Sequence, residues 1–327
     1  ITLKFFIYTL SGSLLMLLGI IWLWLQTPGA HSFDINSLMQ LSLTESQQSW
    51  VFWAFFLAFA IKIPIFPFHT WQPDTYVSAP TTGSMLLSGI MLKMGLFGLI
   101  RWVLPIVPGA VDSWSWLAVG LAVIGVVYAA LMAMAQTDFK RMAAYSSMSH
   151  VGLIAAAVLT AESTAVEGAT YQMISHGVNA IGLFFVAEIL QRRFADRGMD
   201  EMGGLAHVSR PFAIGFMVIM LGNVALPLTN GFVGEFLMLS GIYNYGAWTA
   251  AIAGLSVILG AVYMLNAYRK TTLGETSALS ATFTPLSTSE KTLLLIIGTL
   301  VILGGIYPKY LMDIAGPSLQ TILNKPF

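Results

Sequence analysis

Long apolar runs alternate with short polar segments along the whole chain. Nine of these runs are long enough to cross about 30 Å of bilayer hydrocarbon as helices, if breaks at proline and glycine are allowed. The predicted spans cover residues 5–25, 47–66, 81–100, 115–135, 143–160, 168–190, 211–243 (interrupted), 248–268 and 291–307. The pattern therefore predicts an all-α membrane protein, a polytopic bundle of helices.

The composition agrees with a membrane protein and excludes several kinds of site. Of the 327 residues, 57% are hydrophobic and 9% are charged, whereas soluble domains carry about 25% charged residues. The chain has no cysteine, so it holds no cysteine-ligated iron–sulfur cluster and no disulfide. Its histidines lack metal-ligand spacing, and it has no glycine-rich phosphate loop and no basic nucleic-acid patch. We therefore expect no cofactor, metal or nucleic acid in this chain, and the lipid bilayer as its surroundings.

Basic residues are distributed unevenly between the two sides of the predicted bundle. Loops with many lysines and arginines stay in the cytoplasm. The side on which the first span starts carries Lys4, Lys140, Arg141, Arg192, Arg193, Arg197, Arg210, Arg269, Lys270 and Lys291. The opposite side carries Arg101, Lys309 and Lys325. We therefore expect residue 1 to enter from the cytoplasm and the C-terminus to lie outside.

The first apolar run begins almost at Ile1, without a methionine or a positively charged leader. A secretory signal peptide has such a leader. The sequence therefore favours a fragment that lacks its beginning.

Lys62 follows a charge-free segment, residues 46–61, and is followed at once by Pro64 and Pro67. A charge at the centre of a spanning helix costs about 2.5 to 3.5 kcal/mol on insertion scales, so it usually faces a polar interior path. Proline breaks the helix, and a membrane tolerates the break only where protein or water satisfies the freed carbonyls. Together these features predict a discontinuous helix around an ion site.

Glu235 lies in a second segment of this kind, after Pro227, Gly231 and Gly234. Its other neighbours are mainly apolar, and a lone carboxylate among them has no obvious structural role. We predict a half-helix, a loop and a second half-helix here as well.

Three further ionisable residues lie inside predicted spans. Lys93 is eight residues from Arg101, about 12 Å along a helix, so partial snorkelling to that interface is the alternative to a buried role. His150 lies in a serine-rich stretch, and His176 lies in the following span. Either histidine is suited to proton transfer, and the alternative is a histidine satisfied by a neighbouring hydroxyl. The candidate proton relay comprises Lys62, Lys93, His150, His176 and Glu235.

Other polar residues have simpler interpretations. Glu188 and Arg192 are four residues apart, which predicts an ion pair at a helix end. The connection over residues 69–83 is expected to be mainly structural. The polar segment after the first span is expected to form a short surface helix with Asp34 or Asn36 as its N-cap.

Five segments carry a resemblance to a known family. They are AIKIPIFPFHTWQPD, SAPTTGSMLLSGIMLKMG, DFKRMAAYSSMSHVG, SHGVNAIGLFF and GFVGEF. They resemble the antiporter-like, proton-conducting subunits of respiratory complex I. Ser-His-Gly at 175–177 and glutamate at position 235 favour the M type, called subunit 4 in mitochondria, because the L and N types carry lysine at the position of Glu235.

The resemblance implies a fold of fourteen transmembrane helices with two inverted five-helix repeats, each containing a broken helix. The nine spans would correspond to helices six to fourteen of that fold. Residues 1–110 would then be the remainder of the first repeat, 111–270 the second repeat, and 271–327 a C-terminal span and tail.

The resemblance also implies a role for each candidate. Lys62 matches the central lysine of helix seven, Lys93 the lysine of helix eight, His150 and His176 the axial histidines, and Glu235 the ionisable group of helix twelve. The glutamate of helix five that pairs with the lysine of helix seven would belong to a missing N-terminal part. The chain departs from the common family pattern at Gln72, Tyr76 and Ser78, where leucine, histidine and glutamate are usual.

The function implied is that of a proton-translocating membrane-arm subunit of NADH:quinone oxidoreductase. Such a role implies a multi-pass protein of the bacterial inner membrane. NADH, FMN, iron–sulfur clusters and quinone would be bound by partner subunits. Its neighbours would be L-type and N-type subunits and the lateral helix of the L-type subunit. Three alternatives remain at this point: a subunit of a multi-subunit sodium/proton antiporter, the membrane arm of a ferredoxin- or hydrogenase-linked relative, and a purely structural membrane spacer.

Overall fold

Helices account for nearly all of the regular structure. The computed structural model describes residues 1–29, 31–194 and 198–323. Within these ranges the only β feature is an isolated bridge between Asp138 and Gly198. The all-α prediction is confirmed.

Fourteen α-helices follow one another along the described ranges. The first seven are α1 (Thr2–Gln26), α2 (Ile35–Met39), α3 (Glu45–Lys62), α4 (Gln72–Ser78), α5 (Thr81–Ile106), α6 (Pro108–Met134) and α7 (Phe139–Leu159). The others are α8 (Ser163–Arg193), α9 (Leu205–Val208), α10 (Arg210–Asn223), α11 (Asn230–Tyr245), α12 (Ala247–Thr272), α13 (Thr288–Ile306) and α14 (Lys309–Leu323).

Every predicted span is helical. Seven helices are long and apolar enough to cross a membrane by themselves: α1, α5, α6, α7, α8, α12 and α13. The other two predicted spans are the interrupted ones, in which α3 is followed by α4 and α10 by α11. The numbering of the nine spans as helices six to fourteen, and the division at residues 110 and 270, remain predictions.

Two smaller elements flank the spans. The predicted surface helix is α2, and its N-cap is Asp34, whose side chain accepts a hydrogen bond from the Ser37 backbone N–H at 3.3 Å. After α13 the chain forms α14, where only a tail was expected. One face of α14 packs against α8, whereas Tyr310 and Ile314 are exposed.

The spanning helices differ greatly in how far the protein itself buries them. The apolar window of α7 is 100% buried, compared with 17% for α1 and for α13. Helix α7 lies at the centre, in contact with α6, α8 and α12. Alanines such as Ala143 and Ala155 run along it, and small side chains let neighbouring helices approach closely in a membrane.

Helix α5 is not regular. It contains two π-helical turns, Leu87–Met91 and Leu99–Val103. Such turns change the direction of the side chains that follow them and are frequent at functional sites. Lys93 lies between the two.

Candidate functional site

The first helix break follows Lys62, as predicted. Helix α3 ends at this residue, and the indole N–H of Trp71 donates to the Ile61 carbonyl at 2.9 Å. The Ile65 N–H donates to the Ala60 carbonyl at 2.8 Å. The carbonyls freed by the break are therefore satisfied by the break segment itself, as a membrane requires.

The second break separates α10 from α11, also as predicted. Helix α8 satisfies its carbonyls: the Asn179 side-chain amide donates to the Gly222 carbonyl at 3.0 Å, and the Ser175 hydroxyl donates to the Asn230 carbonyl at 3.0 Å. Gly231 is sterically required, because a Cβ there would overlap the Gly222 carbonyl oxygen.

Sequence analysis missed the roles of Ser175 and Asn179. With Gln172 they occupy positions i, i+3 and i+7 of a spanning helix, so they form one polar stripe. Polar side chains at that spacing in a membrane helix indicate hydrogen bonds to a neighbouring helix.

Lys93 and His176 are in direct contact. The Lys93 ammonium donates to the Ser88 carbonyl at 2.6 Å, and its Nζ lies 2.7 Å from Nδ1 of His176. Ser88 belongs to the first π turn of α5, and its hydroxyl is 2.7 Å from that of Ser147 on α7. Since an ammonium has no acceptor, a charged Lys93 needs His176 as a neutral acceptor at Nδ1.

His150 and Glu235 form the other half of the site. His150 Nδ1 lies 2.9 Å from Oε1 of Glu235. This is ion-pair distance without the alignment of a hydrogen bond, because Oε1 has no hydrogen-bond partner among the described groups. The rings of His150 and His176 face each other with centroids 5.7 Å apart. Both histidines and Glu235 are less than 10% exposed.

Four of the five predicted site residues thus form one series. Lys93 on α5 contacts His176 on α8, His176 faces His150 on α7, and His150 contacts Glu235 on α11. Each member comes from a different helix. Neighbouring members are one step apart, and Lys93 and Glu235, at the two ends of the series, are three steps apart.

Lys62 is not in this series. It is half-buried at the end of α3, and its Cβ lies beside Gly95 of α5. Its ammonium has no hydrogen bond or ion pair with any residue that the structure describes.

The residues interpreted as structural have ordinary partners. Glu188 accepts from the Arg192 guanidinium at 2.7 Å, so the predicted ion pair is present. Asp74 lies 3.4 Å from both Lys4 and Arg141. Another ion pair, which the sequence did not indicate, joins Arg193 and Glu290 at 2.7 Å. Of the basic residues used for the orientation, Arg197 and Lys325 lie outside the described residues.

In the described ranges no group of three or more histidines, aspartates and glutamates is arranged to hold a metal ion.

Comparison with known proteins identifies relatives. The model of the family described as "NADH:quinone oxidoreductase/Mrp antiporter, TM" matches residues 2–261. A curated relative, NADH-quinone oxidoreductase subunit M of Rickettsia prowazekii (strain Madrid E), is 40% identical over 326 residues. The match covers 99% of this chain and 66% of the relative, so the chain spans slightly less than two thirds of that protein.

Solved structures agree with this assignment. A chain of respiratory complex I from Thermus thermophilus with bound NADH matches with a TM-score of 0.91 and 32% identity, over 98% of this chain and 69% of that one. A chain of the Mrp complex from Dietzia sp. DQ12-45-1b has a TM-score of 0.85 at 17% identity, over 98% of this chain and 67% of that one, which shows the fold alone.

The apolar helices and the family match agree on a multi-pass membrane protein. The predicted resemblance to M-type antiporter-like subunits is confirmed by the relatives' names. The chain belongs to the NADH:quinone oxidoreductase/Mrp antiporter transmembrane family.

Proposed function

We propose that this chain acts in a proton-translocating, M-type subunit in the membrane arm of an NADH:quinone oxidoreductase. The observation that carries the proposal is the buried series Lys93, His176, His150 and Glu235. The names of the relatives support the same function. A purely structural spacer does not require four ionisable side chains from four helices to meet inside a membrane.

Proton transfer along the series begins at Lys93. Its Nζ–H bond breaks as a new N–H bond forms on Nδ1 of His176, across 2.7 Å. A histidine can take a proton on one ring nitrogen and release another from the opposite nitrogen. His176 can therefore pass a positive charge onward without rotating.

The second half of the path runs from His176 to Glu235. His150 Nε2 has no partner among the described residues, so this nitrogen is free to receive a proton through a water molecule between the two rings. Once a small rotation aligns the two groups, His150 releases a proton from Nδ1 to Oε1 of Glu235, 2.9 Å away. The break beside Glu235 provides its route towards the opposite side of the membrane.

Lys62 is the proposed input to this series. The resemblance supplies a partner for it, a glutamate of the family's helix five, which belongs to none of the nine spans found here. A change in that pairing would alter the proton affinity of Lys62 and, through α5, that of Lys93. This links the series to events elsewhere in a larger assembly.

The remaining assignments rest on the resemblance. The partners are other complex I membrane subunits: L-type and N-type subunits and the lateral helix of the L type. The chain contributes to an enzyme as one of its subunits, and NADH, FMN, iron–sulfur clusters and quinone belong to its partners. The basic loops support a topology with residue 1 on the cytoplasmic side and the C-terminus outside, and the bacterial relatives support an inner membrane as the location.

Two variants of the full-length protein test the function: Lys62→Ala and Lys93→Ala. We expect either to reduce NADH-driven proton uptake by membrane vesicles at least about tenfold, a threshold set below the roughly 10²- to 10⁴-fold that one proton-transfer group typically contributes. Oxidation of NADH by an artificial electron acceptor should be unchanged, because that reaction needs no proton path.

The matched control is Arg192→Ala, which removes a basic residue from an exposed ion pair and should leave proton uptake intact. Normal proton uptake in both lysine variants, with a correctly assembled complex, would contradict the proposed relay.

A further inference from the structure

Helices α10 and α13 lie side by side and leave a groove of about 630 Å³ between them. Arg210 and Lys291 line one end of it, and Leu303 lines the other. Two glycines, Gly215 and Gly298, line the groove without a side chain that would fill it. A Cβ added at Gly298 would lie 3.5 Å from the nearest atom of Val218. The rest of its lining is almost entirely aliphatic. The proposed proton path does not use this groove.

The charged end of the groove carries two cations without protein partners. Arg210 and Lys291 are both exposed, and neither has a hydrogen bond or ion pair through its side chain with any described residue. The nearest carboxylate in sequence, Glu290, is already bound by two nitrogens of Arg193, at 2.7 and 2.9 Å. Two positive charges therefore meet at the end of an apolar groove with no protein anion to neutralise them.

The length of the groove matches one leaflet of a bilayer. Lys291 and Leu303 are twelve residues apart on α13, which is about 18 Å of helix. Half of a hydrocarbon core of about 30 Å is about 15 Å. A chain of hydrocarbon that starts at the basic end would therefore end near the bilayer midplane.

We propose that this groove binds an anionic phospholipid. The phosphate lies between Arg210 and Lys291, and one acyl chain follows the groove past Gly298 towards Leu303. Basic pockets between transmembrane helices recognise lipid head groups in this way, on the side of the membrane where basic residues concentrate. A zwitterionic lipid has the same hydrocarbon but no net charge for the two cations, so the site should distinguish the two.

The test uses the assembled complex that contains the full-length protein, reconstituted in nanodiscs. The probes are phosphatidylglycerol and phosphatidylcholine, each with the same photoreactive acyl chain. We expect phosphatidylglycerol to label peptides of α10 and α13 in preference to phosphatidylcholine. The double variant Arg210→Gln, Lys291→Gln should reduce that labelling about 30-fold, from about 1 kcal/mol for each basic residue near an anionic lipid surface.

Two further variants make the result specific. Gly298→Leu fills the groove without removing charge and should also abolish labelling, since Gly298 lines the groove and a Cβ added there would meet no atom closer than 3.5 Å. Arg269→Gln removes an exposed cation that bonds only to Asn266 and does not line the groove, so labelling should persist. Equal labelling by the two lipids, labelling that survives the double variant, or no labelling at all because a neighbouring subunit covers the groove would overturn the proposal.

Discussion

The two broken helices look alike in sequence. They differ in which groups satisfy their backbone and in whether their ionisable residue has a partner. At the first break the freed carbonyls are satisfied locally by Trp71, and Lys62 has no charged partner among the described residues. At the second break, side chains of α8 satisfy the backbone, and Glu235 meets His150. At the second break, both the backbone and the ionisable residue therefore have partners within this chain. The first one requires a group that the described residues do not supply.

The comparison has a functional meaning. When an ionisable residue has its partner in the same chain, as Glu235 does, that chain alone can control its protonation. A residue whose partner lies elsewhere responds to what happens elsewhere, as we propose for Lys62. The break at Lys62 would thus be the input of one proton path, and the break at Glu235 its output.

The largest expected effect concerns the close approach of two backbone segments at the second break. Gly231→Val should prevent assembly of the subunit, because its side chain would overlap the Gly222 carbonyl. Overpacking usually costs about 1 to 3 kcal/mol and more where backbone cannot move. The measurement is the amount of assembled complex on a native gel.

The control for that variant lies beside the first break. Gly83→Ala adds a methyl group whose nearest neighbours are 3.8 Å away or more, so assembly should be normal. Equal amounts of complex from the Gly231 and Gly83 variants would show that the second break is not closely packed against α10.

A smaller effect tests how each break satisfies its backbone. Asn179→Leu removes the shorter of two hydrogen bonds to the Gly222 carbonyl, which keeps the Ala225 N–H at 3.4 Å. Trp71→Phe removes the indole donor of the Ile61 carbonyl. The unsatisfied carbonyl in the Trp71 variant should cost about 1 to 3 kcal/mol, and the Asn179 variant should lose less. The measurement is the midpoint of thermal unfolding of the purified complex in detergent.

Asn179→Leu should also reduce proton uptake, because Asn179 holds the second break next to the proposed path. An effect on proton uptake would therefore distinguish the second break from the first. A Trp71→Phe protein with an unchanged midpoint would mean that water, not the indole, satisfies the first break.

Much of the fold could be predicted from local patterns. Apolar runs indicate the nine spans, and proline with glycine beside an ionisable residue indicates both breaks. The N-cap at Asp34 and the pair of Glu188 with Arg192 depend on residues three or four positions apart. Such features are visible in sequence because their partners are close along the chain.

The rest depends on contacts between distant segments. Hydropathy cannot distinguish lipid from protein surroundings, so the central place of α7 was not predictable. The π turns around Lys93 arise from packing and have no local signal. The helix α14 was missed because it is amphipathic and too short to span. The residues of the proposed series could be named from sequence, but their order could not.

Glu235→Gln tests the central claim most directly. Glutamine has nearly the same volume but cannot take up and release a proton at this position. We expect the variant complex to assemble normally, to oxidise NADH with an artificial acceptor at the native rate, and to take up protons into vesicles at less than about a tenth of the native rate. The variant Glu188→Gln, at the helix-end ion pair with Arg192, serves as the matched control and should retain proton uptake. Native proton uptake by an assembled Glu235→Gln complex would contradict the account, because no proton would then need to reside on Glu235.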